Sequence, residues 1–184
     1  MRELLIRRQL VALVRQLRIS RKHFEYARAC LTMGSLENTM TAPPTDGFAL
    51  IKPGQTYLGQ QGIVYGAGAS KETVGSQKIC MNVMPMPPGA VANAHYHRDI
   101  ETIAYMLEGD CAVYYGDHLE KRVDVRQGEQ CFCAANIPHA PRNESGKPCT
   151  WIVVHSSGSD QDGIVLLPEL DVELAQRLAA DPRS

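Results

Sequence analysis

Residues 94–109 read AHYHRDIETIAYMLEG, and the interpretation of the whole chain starts from this stretch. It places His95, His97 and Glu101 within seven residues of one another. A strand directs residues i and i+2 to the same face, so the two imidazoles are expected to point the same way. Each buried imidazole carries a donor and an acceptor that must be satisfied. The spacing therefore favours a common ligand between the two rings.

If His95, His97 and Glu101 bind a metal ion, a complete site needs a further group from another segment. His139, in CAANIPHAPRN, is the best candidate, because two or three hairpin strands can return the chain beside the first segment. Of the other histidines, His23 lies in a basic segment and His118 in a charged turn, while His155 stands alone on an apolar strand. On this hypothesis the metal ligands are His95, His97, Glu101 and His139.

Short strands dominate the expected structure from residue 46 onward. Turn signals recur roughly every ten residues, and brief segments rich in Val, Ile, Tyr and Cys lie between them. Many short strands without intervening helices predict an antiparallel sandwich or barrel. A helix is expected only in PELDVELAQRLAADP near the C-terminus, where Leu170, Leu174 and Leu178 repeat at helical spacing after Pro168.

The N-terminal segment differs in composition from the rest of the chain. Residues 1–32 contain eight Lys and Arg against two Glu, whereas the remainder has eleven basic and eighteen acidic residues. Arginines interrupt its apolar run, so it resembles neither a secretory signal nor a membrane span. We expect residues 1–40 to be a basic helical or unstructured leader and residues 41–184 to form one domain. Three roles for the leader stay open: a docking helix for a partner or an anionic surface, a transit-like segment, or upstream sequence that is dispensable for function.

Overall composition narrows the function classes. The net charge of −1 argues against a nucleic-acid binder, whose surface is usually strongly basic. Six cysteines without a CxxC pair argue against a zinc ribbon, and with no secretory signal they indicate a reducing cytoplasm. The expected partner is thus a small molecule, with no stable insertion into a membrane.

Five positions around the two histidines resemble the first motif of the cupin superfamily. That motif reads G-x5-H-x-H-x3–4-E-x6-G, and the chain presents Gly89, His95, His97, Glu101 and Gly109 in this order. Seven residues instead of six separate Glu101 from Gly109. The resemblance implies a small antiparallel jelly-roll barrel with a metal site inside.

The second cupin motif, G-x5-P-x-G-x2-H-x3-N, is matched independently. Counted from Gly128, His139 and Asn143 fall in register, whereas Ala134 replaces the proline and Asn136 the glycine. Because asparagine tolerates positive φ, we expect Asn136 to make the same turn. Together the two motifs cover about residues 75–158.

Three imidazoles and one carboxylate suit one divalent ion per subunit, with Mn(II) or Fe(II) preferred and Zn or Ni next. Open coordination positions would let a substrate chelate the ion through two oxygens, which stabilises an enolate or enediolate. Three functions remain open. They are an enolising reaction such as sugar isomerisation or elimination, an Fe(II)-dependent dioxygenation, and small-molecule binding without catalysis.

A closer resemblance is to the methylthio-xylulose-phosphate methylsulfurylases, cupins of bacterial methylthioadenosine salvage. It implies removal of the methylthio group from 1-methylthio-xylulose 5-phosphate to a thiol such as glutathione, and cupins commonly form homodimers. On this resemblance the candidate thiol residues are Cys111, Cys131 and Cys133, the candidate proton donors are Tyr105, Tyr114 and Tyr115, and the candidate phosphate ligands are Arg98 and Arg142. Each of these residues alone has an ordinary alternative role, in core packing or as solvated charge.

Overall fold

Eleven strands and two helices make up the part of the chain that the structure, a computed structural model, describes, namely Pro44 and residues 46–180. The strands are β1 (Thr56–Leu58), β2 (Val64–Ala69), β3 (Cys80–Met86), β4 (His95–His97), β5 (Thr102–Glu108), β6 (Asp110–Tyr115), β7 (Lys121–Arg126), β8 (Gln130–Cys133), β9 (His139–Arg142), β10 (Cys149–His155) and β11 (Ile164–Leu166). The helices are α1 (Lys71–Val74) and α2 (Pro168–Ala180). The expected basic leader, residues 1–40, lies outside the described residues.

The strands form two antiparallel sheets. The six-stranded sheet has the order β1-β2-β3-β10-β5-β8, and the five-stranded sheet has the order β11-β4-β9-β6-β7. Consecutive strands such as β4 and β5 lie in different sheets, so the chain passes repeatedly from one sheet to the other, as in a jelly roll. The prediction of an all-β antiparallel jelly roll of the cupin type with a C-terminal helix is confirmed.

Alternation along the strands builds the core between the sheets. In β3, the residues of one parity are buried, and Met81, Val83 and Pro85 between them are exposed. Met84 and Met86 of this strand pack with Trp151 and with residues of the other sheet. The period of two in the sequence therefore fixes which side chains face the interior.

The one-residue connection between β5 and β6, where the chain passes from one sheet to the other, depends on a glycine of the first motif. Gly109 has φ +76, and a Cβ at this position would lie 2.6 Å from the carbonyl oxygen of Pro148. Both the left-handed backbone and the close approach require glycine.

Helix α2 covers the outer face of the five-stranded sheet. Leu170 and Leu174 are buried against Ala112, Tyr114 and other small or aromatic side chains of that face. The Asp171 carboxylate also accepts a hydrogen bond from the backbone N–H of Ala94, at 2.8 Å. In the described residues, neither helix is long and apolar enough to cross a membrane.

Replacement of Leu174 by alanine should destabilise the fold, because its side chain is fully buried beneath the helix. We expect the free energy of unfolding to fall by about 2–5 kcal/mol, measured by urea denaturation. The matched control is Val172→Ala on the exposed side of the same helix, which should change stability by no more than about 0.5 kcal/mol. Equal effects of the two substitutions would show that α2 does not pack as described.

Candidate metal centre

Three histidines from both cupin motifs meet inside the barrel. His95, His97 and His139 are 3%, 4% and 8% exposed, and one ring nitrogen of each lies within 4.8 Å of the others. Among the described residues, these three histidines are the group of His, Cys, Asp or Glu side chains whose spacing suits a metal ion.

Strand pairing brings these histidines together. β4 and β9 are antiparallel neighbours, and His95 lies directly opposite His139 in their register. Their ring centroids are 4.4 Å apart. His97 lies on the same face as His95, two residues further along β4, with its ring 5.5 Å from that of His139. The two histidines of β4 share one face because they are the first and last residues of a three-residue strand.

A turn containing Asn136 fixes the segment before β9 against the end of β4. Asn136 has φ +66, so the expectation that it makes the turn of the missing glycine is confirmed. Its backbone N–H donates to the carbonyl oxygen of His97 at 3.0 Å, and its side-chain oxygen accepts from the N–H of Asp99 at 3.1 Å. These bonds connect the two histidine motifs directly.

The hydrogen bonds of the rings leave nitrogen lone pairs for a metal. Nδ1 of His95 lies 2.7 Å from the carbonyl oxygen of Asn93, and Nδ1 of His139 lies 2.9 Å from that of Ile137. A carbonyl can only accept, so each Nδ1 carries the proton and Nε2 keeps its lone pair. Nδ1 of His97 is buried without a hydrogen-bond partner. The cluster therefore fits a divalent ion.

Burial also keeps the imidazoles neutral, which is the form that binds metals. Desolvation, with a smaller contribution from neighbouring histidines, lowers the pKa of His95 to about 3 and that of His97 to about 2. Desolvation lowers the pKa of His139 as well. Without an ion, the rings are uncharged at neutral pH.

The cluster opens into a cavity of about 610 Å³ between the two sheets. This volume lies in the range of about 300–1,000 Å³ that is common for small-molecule sites. Apolar side chains such as Met84, Val113 and Trp151 line much of the wall, and Tyr65 and Tyr115 also contribute. The cavity can therefore hold a small metabolite against the three histidines.

Glu101, the expected fourth ligand, does not lie in this cluster. Its side chain is exposed, whereas its neighbour Thr102 is 7% exposed and lines the cavity. Residues of β5 alternate between the two faces, and the inward parity belongs to Thr102, Ala104 and Met106. The predicted ligand Glu101 therefore lies one residue before the inward position, which Thr102 occupies. This shift by one residue matches the seven residues, instead of the six of the motif, that separate Glu101 from Gly109.

His155 belongs to the site, although the sequence argument set it aside. It is 3% exposed and lines the cavity, and its ring centroid lies 4.6 Å from that of His97. Its Nδ1 is 2.8 Å from the hydroxyl oxygen of Thr102, the residue opposite it in the pairing of β10 with β5. The alternation Cys149, Trp151, Val153 and His155 along β10 was the signal that would have placed this ring inside.

The structure separates the three candidate cysteines. Cys131 and Cys133 face the cavity from β8, and Sγ of Cys133 lies 3.6 Å from Nδ1 of His139. Burial raises the pKa of both thiols, to about 11 for Cys133. Cys111 instead packs in the core, 3.9 Å from the sulfur of Met86, and does not line the cavity.

The remaining candidates point elsewhere, with one exception. Tyr105 is on the outer face of β5, and Tyr114 lies beneath α2, where its hydroxyl donates to Glu144. Of these three candidate tyrosines, only Tyr115 lines the cavity. Arg98 is exposed, and the Nε of Arg142 lies 3.4 Å from the Glu144 carboxylate. His139 and Pro141 take the inward parity of β9, so Arg142 faces outward, and neither arginine lines the cavity.

Comparison with known proteins supports the cupin superfamily. Residues 82–155 match the cupin domain family. No curated protein matches the chain with significant similarity.

Solved structures match parts of the chain at low sequence identity, and the first of them shares the fold. Oxalate decarboxylase from Bacillus subtilis is 20% identical, with a TM-score of 0.52, over 70% of this chain and 32% of that chain. One structure of that enzyme concerns its Mn(II) centres. The DMSP lyase DddQ from Ruegeria pomeroyi is 24% identical over 50% of this chain and 44% of that chain, with a TM-score of 0.42. A Klebsiella pneumoniae protein with a double-stranded beta-helix domain is 16% identical over 50% of this chain and 76% of that chain, with a TM-score of 0.45.

Removal of one histidine ring should abolish tight metal binding. We expect the wild-type chain to bind one equivalent of Mn(II). His139→Ala should raise the dissociation constant by more than about 100-fold, since loss of even an outer-sphere partner lowers metal affinity by about 10–100-fold. Elemental analysis and chelator competition provide the measurement. The control His118→Ala removes a ring that is 73% exposed and should leave binding unchanged. Unaltered affinity of the His139 variant would refute the proposed ligand set.

Proposed function

We propose that this cupin-fold protein is a metal-dependent enzyme that removes the methylthio group of 1-methylthio-xylulose 5-phosphate, with a thiol as the acceptor. The observation that carries the proposal is the combination of a buried three-histidine cluster, a cavity of about 610 Å³ and a cavity-facing thiol beside His139. The first two support a metal-dependent reaction of a small metabolite. The third favours sulfur chemistry.

The metal would be held by the Nε2 atoms of His95 and His139 together with the ring of His97. Mn(II) or Fe(II) suits this nitrogen set, and the Irving–Williams order means that affinity does not identify the native ion. When bound, the ion acts as a Lewis acid that stabilises negative charge developing on the oxygens of a hydroxyketone. The chain's own residues orient the substrate and exclude water.

The thiol step is assigned to Cys133. A thiolate attacks the methylthio sulfur, so that an S–S bond forms while the C1–S bond breaks. The electron pair stays at C1, which then takes a proton, and glutathione releases the methylthio group from Cys133 by disulfide exchange. Burial raises the pKa of the Cys133 thiol, and a positive charge nearby would favour the thiolate. Such unpaired thiols need a reducing compartment, so we also propose a cytoplasmic location.

Among the described residues of the cavity lining, one cation is available for the phosphate end of the substrate. Lys121, at the start of β7, is exposed there with its ammonium 3.9 Å from the Glu120 carboxylate. We therefore assign the phosphate to Lys121 rather than to Arg98 or Arg142. The lysine is placed at the cavity surface, where a phosphate can remain partly solvated.

The reaction can be tested with anaerobic Mn(II)-loaded protein, 1-methylthio-xylulose 5-phosphate and glutathione. We expect 1-deoxyxylulose 5-phosphate and a methylthio–glutathione disulfide, both measured by mass spectrometry. Cys133→Ser should lower the rate by at least about 100-fold, because removal of a nucleophile eliminates the step it performs. The control Cys149→Ala lies in the core away from the cavity and should retain turnover.

Two results would contradict this function. Turnover that depends on oxygen and not on thiol would favour a dioxygenase. Tight metal binding with no methylthio product would also refute the reaction while leaving the metal site intact.

We also propose that the protein is a homodimer that pairs through the outer face of the six-stranded sheet. Two rows of apolar side chains cross its strands in register, Met81–Val154–Ile103–Phe132 and Val83–Ile152–Tyr105. These rows contain no charged residue and reach 61% exposure at Phe132. From strand spacings the seven side chains cover roughly 230 Å², and a contiguous exposed apolar patch of this kind is a candidate interaction surface. A second copy can cover it isologously.

A charge at the centre of this face should separate the subunits. Ile103→Lys is expected to convert a dimer to a monomer, since burial of an unpaired ammonium is unfavourable. Light scattering of the wild type and the variant gives the mass directly. Val172→Lys is the control: it changes an exposed side chain of α2, and the variant should remain dimeric. A monomeric wild-type protein at micromolar concentration would contradict the proposal.

A further inference from the structure

The histidine cluster receives no carboxylate from the described residues. The group with metal-ligand spacing contains three histidines only. The carboxylates in the cavity lining, Asp117 and Glu120, belong to the turn between β6 and β7 and are exposed. Neither lies with the histidine nitrogens in that group. The ligand set is therefore electrically neutral.

A hydrogen-bonded pair, Thr102 and His155, occupies the wall where a fourth protein ligand would be expected. The two residues are paired across β5 and β10, and Thr102 is paired on its other side with Cys133 of β8. This row of three inward side chains faces the cavity opposite the strands that carry the cluster. His155 contacts the ring of His97 but lies outside the group of mutually close ligand atoms.

A divalent ion bound to neutral imidazoles keeps its full charge of +2. Such a charge is costly in a cavity with mainly apolar walls unless an anion accompanies it. No arginine of the described part of the chain lines the cavity, and the ammonium of Lys121 is exposed and close to Glu120. Attraction of an anion must therefore come mainly from the metal centre itself.

We propose that the three-histidine centre selects an anionic bidentate oxygen ligand, such as the ionised form of a hydroxyketone or an α-hydroxycarboxylate, and that His155 hydrogen-bonds to that ligand. The inference rests on the proposed function only in requiring that the cluster binds a divalent metal. It adds the charge of the ligand and assigns a binding role to Thr102 and His155.

The bond to Thr102 explains how His155 presents a donor. Nδ1 is engaged by the Thr102 hydroxyl at 2.8 Å. Because His155 lines the cavity, Nε2 is the ring nitrogen left for a ligand there. With the hydroxyl donating to Nδ1, the neutral ring carries its proton on Nε2 and donates to an anion. His155 is thus an anion-contacting residue, and Thr102 is the residue that positions it.

Binding of glycolate and of its neutral analogue glycolamide to the Co(II)-loaded protein tests the inference. The visible spectrum of Co(II) reports ligand binding without any turnover. We expect glycolate to bind at least about 10-fold tighter than glycolamide. A charge-assisted hydrogen bond corresponds to roughly 10- to 100-fold in affinity. His155→Phe and Thr102→Val should therefore weaken the binding of glycolate by about 10-fold or more. The Co(II) dissociation constant of each variant should stay within about threefold of the wild-type value.

Introducing the missing carboxylate provides a gain-of-charge test. Thr102→Glu should tighten Co(II) binding and weaken glycolate by about 100-fold, because two like charges about 4 Å apart repel strongly at an effective dielectric near 20. If this variant does not fold, the near-isosteric Thr102→Val measures the same pair. Glu101→Gln should leave both affinities unchanged, since its side chain is exposed.

Three outcomes would overturn the inference. They are equal binding of glycolate and glycolamide, a loss of Co(II) affinity in Glu101→Gln, and a comparable loss in His155→Phe, which would make His155 a fourth ligand. Failure of the wild-type protein to bind Co(II) would instead refute the metal-dependent function itself. Methylthio release without a preference for glycolate would leave that function standing and refute only this inference.

Discussion

The antiparallel pairing of β4 with β9 is the constraint on which the site depends. It places His95 opposite His139, although more than forty residues of sequence separate the two. The hydrogen bonds of Asn136 to His97 and Asp99 hold the adjacent turns in the same relation. Because these contacts are made by backbone and by a turn residue, the ligand geometry exists before any ion binds. Such preorganisation reduces the entropy that metal binding must otherwise overcome.

The second determinant is the parity of each strand. On the six-stranded sheet, one parity supplies Thr102, Cys133 and His155 to the cavity, and the other supplies the outer apolar face. The same rule sends Arg142 outward while it sends His139 inward. The register of a strand therefore decides both which side chains line the cavity and which form the exposed surface. The proposed nucleophile Cys133 and the proposed dimer-forming surface consequently lie on opposite faces of one sheet.

Much of this arrangement could be predicted from the sequence, because motif spacing and alternation carry it. The spacing around His95, His97 and His139 was sufficient for the cluster, and the tolerance of asparagine for positive φ was sufficient for the turn at Asn136. Glu101 shows the limit. Its identity satisfied the motif, but the start of β5 was not visible in the sequence, and a shift of one residue reverses the direction of a side chain.

His155 illustrates a different limit. On β10 it follows Trp151 and Val153 at the same parity, which indicates burial but not the neighbours it meets there. Those neighbours come from β5 and β4, in two different sheets, and only the tertiary structure brings them together. A lone histidine in an apolar strand is thus correctly interpreted as a core residue until the partner strands are known. The bond to Thr102 and the contact with His97 then convert it from a packing residue into part of the site.

Burial of four imidazoles around one cavity is unfavourable for the metal-free fold. Their neutral forms avoid mutual repulsion, yet Nδ1 of His97 remains buried without a partner, and such an atom costs about 1–3 kcal/mol. The core of Met, Trp and Val side chains on the neighbouring strands offsets this cost. The chain therefore sacrifices some stability of the empty state for a centre that binds an ion and an oxygen ligand. That balance is expected when interior polar groups are kept for function rather than for packing.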